Sequence, residues 1–389
     1  MIQIHIEPMD TLFFRDHRPF NAGEETTAEF NFPSPLTFFG AIGSAVLDGT
    51  KGAELRKFVR GIGGYEHPKL GKYDPDLKNT GMKLKGPFLH REGEVFFPPP
   101  ANLWISILGK KPSTYYTSLP YETDWEWDIK RENQNLRPLK MPTKSGMKPL
   151  DEYISAKVLT QYLSNSLPPT IPVKSEEEFF AKEDRYGHAL SRDSLTVEEG
   201  YLYTATHLRF KDELGKRKYI KTGFTLIAEG IDETDLPDKM ISLGGERRRA
   251  MISVSRGDKL VPEQLEVLNT IKSTKKFFIY LATPAIFRNG WYRDFPSEFD
   301  GAVMVGAAVK KPMYISGWKV SGDSFRGKPR PIKRAVPAGS IYFFEAESWN
   351  DKRFETLYKK YHFKESLSDE YPSAGFGIGL IGSWNNDRR

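Results

Sequence analysis

Apolar and polar residues alternate from the first position of the chain. In MIQIHIEP, Ile2, Ile4 and Ile6 interleave with Gln3, His5 and Glu7, the period-two pattern of a strand with one buried face rather than the basic and apolar blocks of a signal peptide. FPSPLTFFGAIGSAVLDG then predicts a helix in which Ser34 caps, Pro35 takes the first helical position and Gly49 ends the run. Gly40 and Ser44, four residues apart, give that helix one thin side. A phosphate or a backbone could approach there, and close packing of helix on sheet is the alternative. GPFLHREGEVFFPPP reads as two short strands joined by a turn at Glu92-Gly93 and ended by prolines, and EGYLYTATHLRF as a further strand. In the second half, TGFTLIAEGI, KKFFIYLATPAIF and SIYFFEAES have strand character. VPEQLEVLNTIKS and DKRFETLYKKY have helical periodicity.

Between about Pro112 and Pro172 the chain is rich in Pro, Lys, Tyr and Trp with little periodicity, which predicts an insertion, set at about 103–185, rather than core. A chain of 389 residues should form two or three domains. Strand, helix, hairpin and later strand place the first at 1–210, and the loosely similar second half makes 211–389 the other. Strands alternating irregularly with few helices fit an α+β fold better than a doubly wound parallel sheet.

Composition narrows the chemistry. With 39% hydrophobic and 13% aromatic residues the chain can bury a large core. Its longest apolar run, LTFFGAIGSAVL, is too short and too glycine-broken to span a membrane, so a cytoplasmic protein with no membrane partner is expected. The absence of cysteine removes disulfides, thiolate nucleophiles and Cys-based metal sites. A net charge of +6 favours a polyanionic partner.

No zinc-protease, P-loop or nucleophile-elbow motif is present, and no metal or cofactor is expected. GFGIGLIG matches G-x-G-x-x-G at Gly377, Gly379 and Gly382, but only Ser383 to Arg389 follow. Neither a second strand nor a ribose-binding carboxylate fits there, so a dinucleotide site is not expected. The glycines remain, either as a tight turn or as a place where something anionic approaches bare N–H groups. The seven histidines are scattered. Only His17, set between arginines in RDHRPF, suggests general acid–base cleavage, with a solvated loop histidine as the plainer reading. LGGERRR carries Arg247, Arg248 and Arg249 on what reads as a flexible loop. SGWKVSGDSFRGKPRPIKRAVPAGS carries Lys319, Arg326, Lys328, Arg330, Lys333 and Arg334 against Asp323 alone. One such cluster is ordinarily a solvated face; two, with the glycine-rich stretch in a basic chain, point to a nucleic-acid surface.

Taken in order, DTLFFRDHRPF, FPSPLTFFGAIGSAVL, EDRYGHALSRDSLTVEEGYLYTATHLRF, LGGERRR, ATPAIFRNGW, ISGWKVSGDSFRGKPRPIKRAVPAGSIYFF and GFGIGLIGSW resemble the family of the third subunit of the Cmr complex. That complex is the type III-B CRISPR effector, and the family lies within the RAMP superfamily. The resemblance spans Asp10 to Trp384. It implies two ferredoxin-like (RRM-like) domains packed side by side, with glycine-rich loops over an RNA-binding face. It also implies a subunit that binds the repeat-derived 5′ tag of the guide RNA and docks on the large polymerase-like subunit beside the RAMP backbone subunits. The resemblance implies no catalytic activity, and no cofactor is expected. Expected RNA contacts are Arg15, Arg18, Gly40, Arg247, Arg248, Arg249, Arg288, Lys328, Arg330, Lys333, Arg334, Gly375, Gly377, Gly379 and Gly382. The sequence departs from the pattern at His17, where a small residue is expected, and the insertion has no diagnostic motif. The competing readings are a metal-independent endoribonuclease that processes CRISPR RNA, with His17 as acid or base, and a protein-interaction subunit whose basic loops meet acidic partners.

Overall fold

A computed structural model describes the chain apart from residues 15–26, 29–31, 107–114, 124–135, 144–145, 189, 192, 195, 198–202, 211–220, 237–238, 258–259, 262–263, 293, 322–323 and 386–389. Two antiparallel sheets organise it. The first is built on β1 (Ile2–Pro8), β2 (Lys83–Arg91), β3 (Thr222–Glu229) and β4 (Arg249–Arg256), side by side in the order β2-β3-β1-β4. Strands Glu94–Phe97, Tyr153–Ser155 and Val173–Lys174 extend it beyond β2, and Met240–Ser242 beyond β4, to eight strands. The second comprises β5 (Lys276–Leu281), β6 (Val303–Ala308), β7 (Ile341–Glu345) and β8 (Gly379–Ser383), in the order β6-β7-β5-β8. Each sheet therefore has its first strand between its third and its fourth.

The alternation read in β1 is realised. Ile4 and Ile6 are fully buried, and Ile4 lies opposite both Leu226 of β3 and Val254 of β4. Strand β3 is instead buried almost throughout, because both of its faces are covered. Phe224, Leu226 and Ala228 meet α1 (Pro35–Leu47) and its surroundings, while Ile227 joins Phe88 and Phe97 in the core shared with the second sheet. Ser34 caps α1 by accepting from the Leu36 N–H at 3.2 Å, and Phe38 and Ile42, one turn apart, seat it on the sheet. Helix α2 (Gly52–Arg60) follows. On the second sheet, α4 (Leu265–Thr274) and α5 (Asp351–Tyr361) bury Val267, Ile271, Phe354 and Leu357. Trp384 closes that core, its indole N–H lying 3.0 Å from the Phe277 carbonyl and 3.2 Å from that of Phe344.

Two expectations change. The boundary at 210/211 cuts the first sheet, since β3 and β4 are neighbours of β1; the sheets change between Arg256 and Lys276. The expected insertion also contains core. Within it α3 (Ala156–Leu163), capped by Ser155, buries Val158, Leu159, Tyr162 and Leu163, and the Tyr162 hydroxyl donates to Asn102 at 2.7 Å. The hairpin turning at Glu92-Gly93 and the α+β mixture, with five α-helices among the described residues, are as read.

Candidate nucleic-acid interface

The basic segment of the second half folds as a hairpin, Trp318–Ser321 against Ser324–Pro329, with Lys319 opposite Lys328. Its base is tied to the first half through Arg330. The Arg330 N–H donates to the Gly317 carbonyl at 2.8 Å, one guanidinium nitrogen donates to the Pro75 carbonyl at 2.5 Å, and the guanidinium lies 5.0 Å from the Tyr371 ring centroid. Beside it opens a cleft of about 550 Å3 between α1, α2, residues 70–80 and the hairpin. Gly40 and Ser44 line its α1 wall, both exposed, and a Cβ built on Gly40 would meet nothing within 4 Å. Apolar side chains of α1 and α2 line much of the rest, and the polar and aromatic groups at its edge include Lys72, Tyr73, Asp74, Trp318, Lys319 and Arg330. The thin side of α1 thus faces open space, bordered by three cations, a tyrosine and one carboxylate, Asp74, whose oxygens already accept from the N–H groups of Asp76, Lys78 and Asn79. Lys328 and Arg334 are exposed near this face, while Lys333 lies 3.4 Å from Glu370.

The arginine loop is pinned rather than flexible. Glu246 and Arg247 both have left-handed backbone (φ 54° and 52°), the Gly245 N–H donates to the Phe13 carbonyl at 2.8 Å, and the Leu243 N–H to the Arg248 carbonyl at 2.8 Å. Its three guanidiniums have different fates. Arg248 is held by Glu246 at 3.0 Å and Asp10 at 3.4 Å, and Arg249 donates to the Ser242 hydroxyl at 3.1 Å. Arg247 alone is exposed without a partner among the described residues.

Next to this loop lies an ion network that the sequence reading did not single out. Arg209 bridges Glu183 at 2.7 Å and Asp10 at 3.3 Å, and Arg185 reaches Glu183 at 2.7 Å. Hydrogen bonds from Arg209, then Arg185, hold the Glu183 carboxyl at about 2. His207 stacks on Phe13 at 5.0 Å with Glu246 3.6 Å away, and burial lowers its pKa. The signal available was the alternation of EDRYGH and THLRF, which puts Glu183 opposite His207 and their neighbours two residues on along one face.

The glycine-rich stretch is placed otherwise than expected. Gly375, Gly377, Gly379 and Gly382 are all buried, and what they let come close is their own chain. A Cβ at Gly382 would run into the Phe278 ring, one at Gly377 (φ 69°) into the Ser368 backbone, one at Gly375 would lie 2.8 Å from the Gly86 carbonyl, and one at Gly379 3.0 Å from Leu367. These four positions offer no bare backbone to a ligand. Arg288 is exposed, its N–H bound to Asp369 at 2.9 Å, and does not line the cleft. Arg15, His17, Arg18 and the side chain of Arg326 lie outside the described residues. Among the described residues no group of three or more His, Asp or Glu side chains is placed to hold a metal ion, and no helix is long and apolar enough to cross a membrane.

Residues 4–384 match the family described as CRISPR-associated protein (Cas_Cmr3). A curated relative, the CRISPR system CMR subunit Cmr3 of Saccharolobus solfataricus (strain P2), is 23% identical over 258 residues. The match covers 65% of this chain and 63% of that relative, just under two thirds of its length. Among solved structures, a chain of a type III-B Cmr-beta complex described as bound to cognate target RNA is similar at 16% identity and a TM-score of 0.46, covering 91% of this chain and 92% of that one. A chain of a Csm3-Csm4 subcomplex from a type III-A interference complex is similar at 12% identity and a TM-score of 0.41, covering 99% and 100%. With its family match running from strand β1 to the tryptophan that closes the second core, the chain belongs to the Cmr3 family of type III-B CRISPR effector proteins.

Proposed function

We propose that this chain is a non-catalytic, cytoplasmic RNA-binding subunit of a type III-B effector. In this reading it holds the repeat-derived 5′ tag of the guide RNA and docks on the large polymerase-like subunit beside the RAMP backbone subunits. The observation that carries the RNA reading is the cleft between α1 and the basic hairpin. The thin Gly40–Ser44 wall from one half of the chain faces Lys319 and Arg330 from the other, with Tyr73 alongside to stack a base. Exposed Lys328, Arg334 and Arg247 add charge, and among the described residues they have no partner that would have to be displaced first. The shared strand order of the two sheets supports two ferredoxin-like units, the first keeping its helix between strands one and two (α1), the second between strands three and four (α5).

Titrating the full chain with tag-containing and scrambled single-stranded RNA tests this reading. Binding that is salt-sensitive, prefers the tag and leaves the RNA intact is expected. Cleavage of the RNA, or binding blind to both RNA and salt, would overturn it.

A further inference from the structure

A separate cavity of about 630 Å3 opens between β2 and its hairpin partner, residues 149–153 and the segments that follow β5 and β6. It shares no lining residue with the cleft beside the basic hairpin. Its walls are proline, aromatic and aliphatic side chains, among them Pro87, Phe88, Leu89, Phe96, Pro98 and Pro337. The ionisable residues that line it are Asp151, Tyr153, Lys310 and Lys311, of which Asp151 and Lys311 are exposed and Lys310 is half-buried. Prolines fix their own backbone, so walls of this kind are formed before anything enters.

Lys310 is the amine that these walls isolate. Its backbone N–H donates to the Ser340 hydroxyl at 3.4 Å, and its side chain turns over Gly339, where a built Cβ would lie 3.1 Å from Nζ and 3.2 Å from Cε. The amine therefore sits against the turn whose Pro337 and Ala338 line the cavity. Among the described residues Nζ has neither a hydrogen-bond acceptor nor an ion-pair partner, yet it is not one of the unpartnered polar atoms that are sealed from solvent. Burial pushes its pKa down to about 8, against the pull of Asp151. At pH 7 a group with such a value is about one-tenth free amine, whereas an ordinary lysine is less than about a thousandth. A desolvated lysine amine of this kind is a nucleophile.

We propose that this cavity makes Lys310 a modification site that accepts apolar acyl groups from acyl thioesters, the acyl chain lying among the proline, phenylalanine and leucine walls while its carbonyl meets Nζ. The Nζ lone pair attacks the carbonyl carbon. A nitrogen–carbon bond forms, the carbon–sulfur bond breaks, and the sulfur leaves as a thiol carrying the proton that the nitrogen loses. The products are a neutral amide and a free thiol, with no oxidant or reductant involved. Acylation also removes a charge that has no partner in apolar surroundings, which favours the product. The proposal stands independently of the RNA reading of the hairpin cleft.

The test follows acylation of the full chain by S-acetyl- and S-butyryl-N-acetylcysteamine at pH 7, with peptide mass mapping of occupancy against time at each lysine. Lys311, exposed and next in the chain, is the internal control. The expected result is that Lys310 is acylated about tenfold or more faster than Lys311, because far more of it is free amine. Butyryl should be transferred to Lys310 faster than acetyl, with no such preference at Lys311. In denaturing urea both differences should vanish, which shows that the fold and not the local sequence creates them. Equal rates at the two lysines in the folded chain, a Lys310 preference that survives unfolding, or butyryl transfer to Lys310 no faster than acetyl would overturn the proposal.

Discussion

Two segments of the second half, the stretch Gly375–Gly382 and the hairpin from Gly317 to Arg330, carry the same sequence-level promise of a nucleic-acid surface, and the fold treats them oppositely. The first runs into the edge strand of a buried sheet, where every residue from Gly375 to Ser383 is covered. The second lies over the mouth of a cleft with Lys328 in solvent. A missing side chain reports that something comes close without saying what, and here it is Phe278 and Ser368. An ammonium group without a partner has to stay in water, so charge reports position more directly.

The largest expected effect breaks the comparison if it fails. Gly382→Val and Gly377→Val each insert atoms into occupied space, and at Gly377 also force a branched side chain into left-handed backbone. Each should lower unfolding free energy by about 2–4 kcal/mol in urea titrations, while the folded fraction binds RNA as before. Stable variants that have lost RNA binding would return the stretch to the RNA face.

Acid should strike the glycine side of the comparison and spare the hairpin. Burial pushes His362, beneath Ile381, and His90, in the first sheet, down to about 4. The unfolded chain then binds more protons than the folded one between pH 6.5 and 4. The stabilising difference is present above pH 6.5 and lost as pH falls through that window. At 1.36 kcal/mol per pKa unit each histidine contributes up to about 3 kcal/mol. Urea midpoints should fall steeply from pH 6.5 to 4.5, less so in His362→Gln. Equal slopes in the two proteins would show that His362 is not held neutral by burial.

What the sequence revealed follows the same division. Local signals were readable: the alternation of β1, the cap and first turn of α1, the Glu92-Gly93 hairpin and the helical stripe of α5 all depend on neighbours within a few residues. Pairings across the chain were not. The neighbours of β1 lie more than two hundred residues away, so nothing near residue 210 revealed that β3 and β4 belong to the first sheet. Helix α3 is only eight residues long and sits in polar, proline-rich surroundings, and its burial is decided by β8 and the second core. At the candidate site the charges of the hairpin were legible. The cleft they border was not, because Lys72 and Tyr73 reach it only through the packing of residues 70–80 against α1 and α2. Arg248 read as a phosphate ligand because only the fold turns Glu246, two residues before it, onto its guanidinium and brings up Asp10 from the far end of the chain.

Charge removal sharpens the other half of the comparison. Lys319→Ala, Lys328→Ala and Arg334→Ala combined should change stability by roughly 0.5 kcal/mol or less, because Lys328 and Arg334 are exposed and Lys319 is half-buried in an open cleft. The same triple variant should weaken RNA binding and flatten the salt dependence by about 0.7 in log–log slope for each phosphate that is no longer neutralised. Within the arginine loop, Arg247→Ala should cost one such increment and Arg248→Ala little, since Arg248 is already engaged by Glu246 and Asp10. Equal losses of affinity from both substitutions would mean that RNA displaces those carboxylates.

The smallest effect is the most discriminating, because at Gly40 stability and binding should move in opposite directions. Unlike the buried glycines, Gly40 has helical backbone and open space where a Cβ would go, so Gly40→Ala should stabilise α1 by about 0.5–1 kcal/mol through reduced freedom of the unfolded chain. One methyl group leaves a 550 Å3 cleft largely open, and Gly40→Ala should bind RNA nearly as well as the unaltered chain. Gly40→Leu keeps the helical preference but fills the wall opposite Lys319 and Arg330, so its melting temperature should stay at or above that of the parent while RNA affinity falls, at low salt as at high, because the loss is steric and not electrostatic. Should Gly40→Leu bind RNA normally while remaining folded, the thin side of α1 is only an unused surface, and the hairpin's charges meet RNA elsewhere.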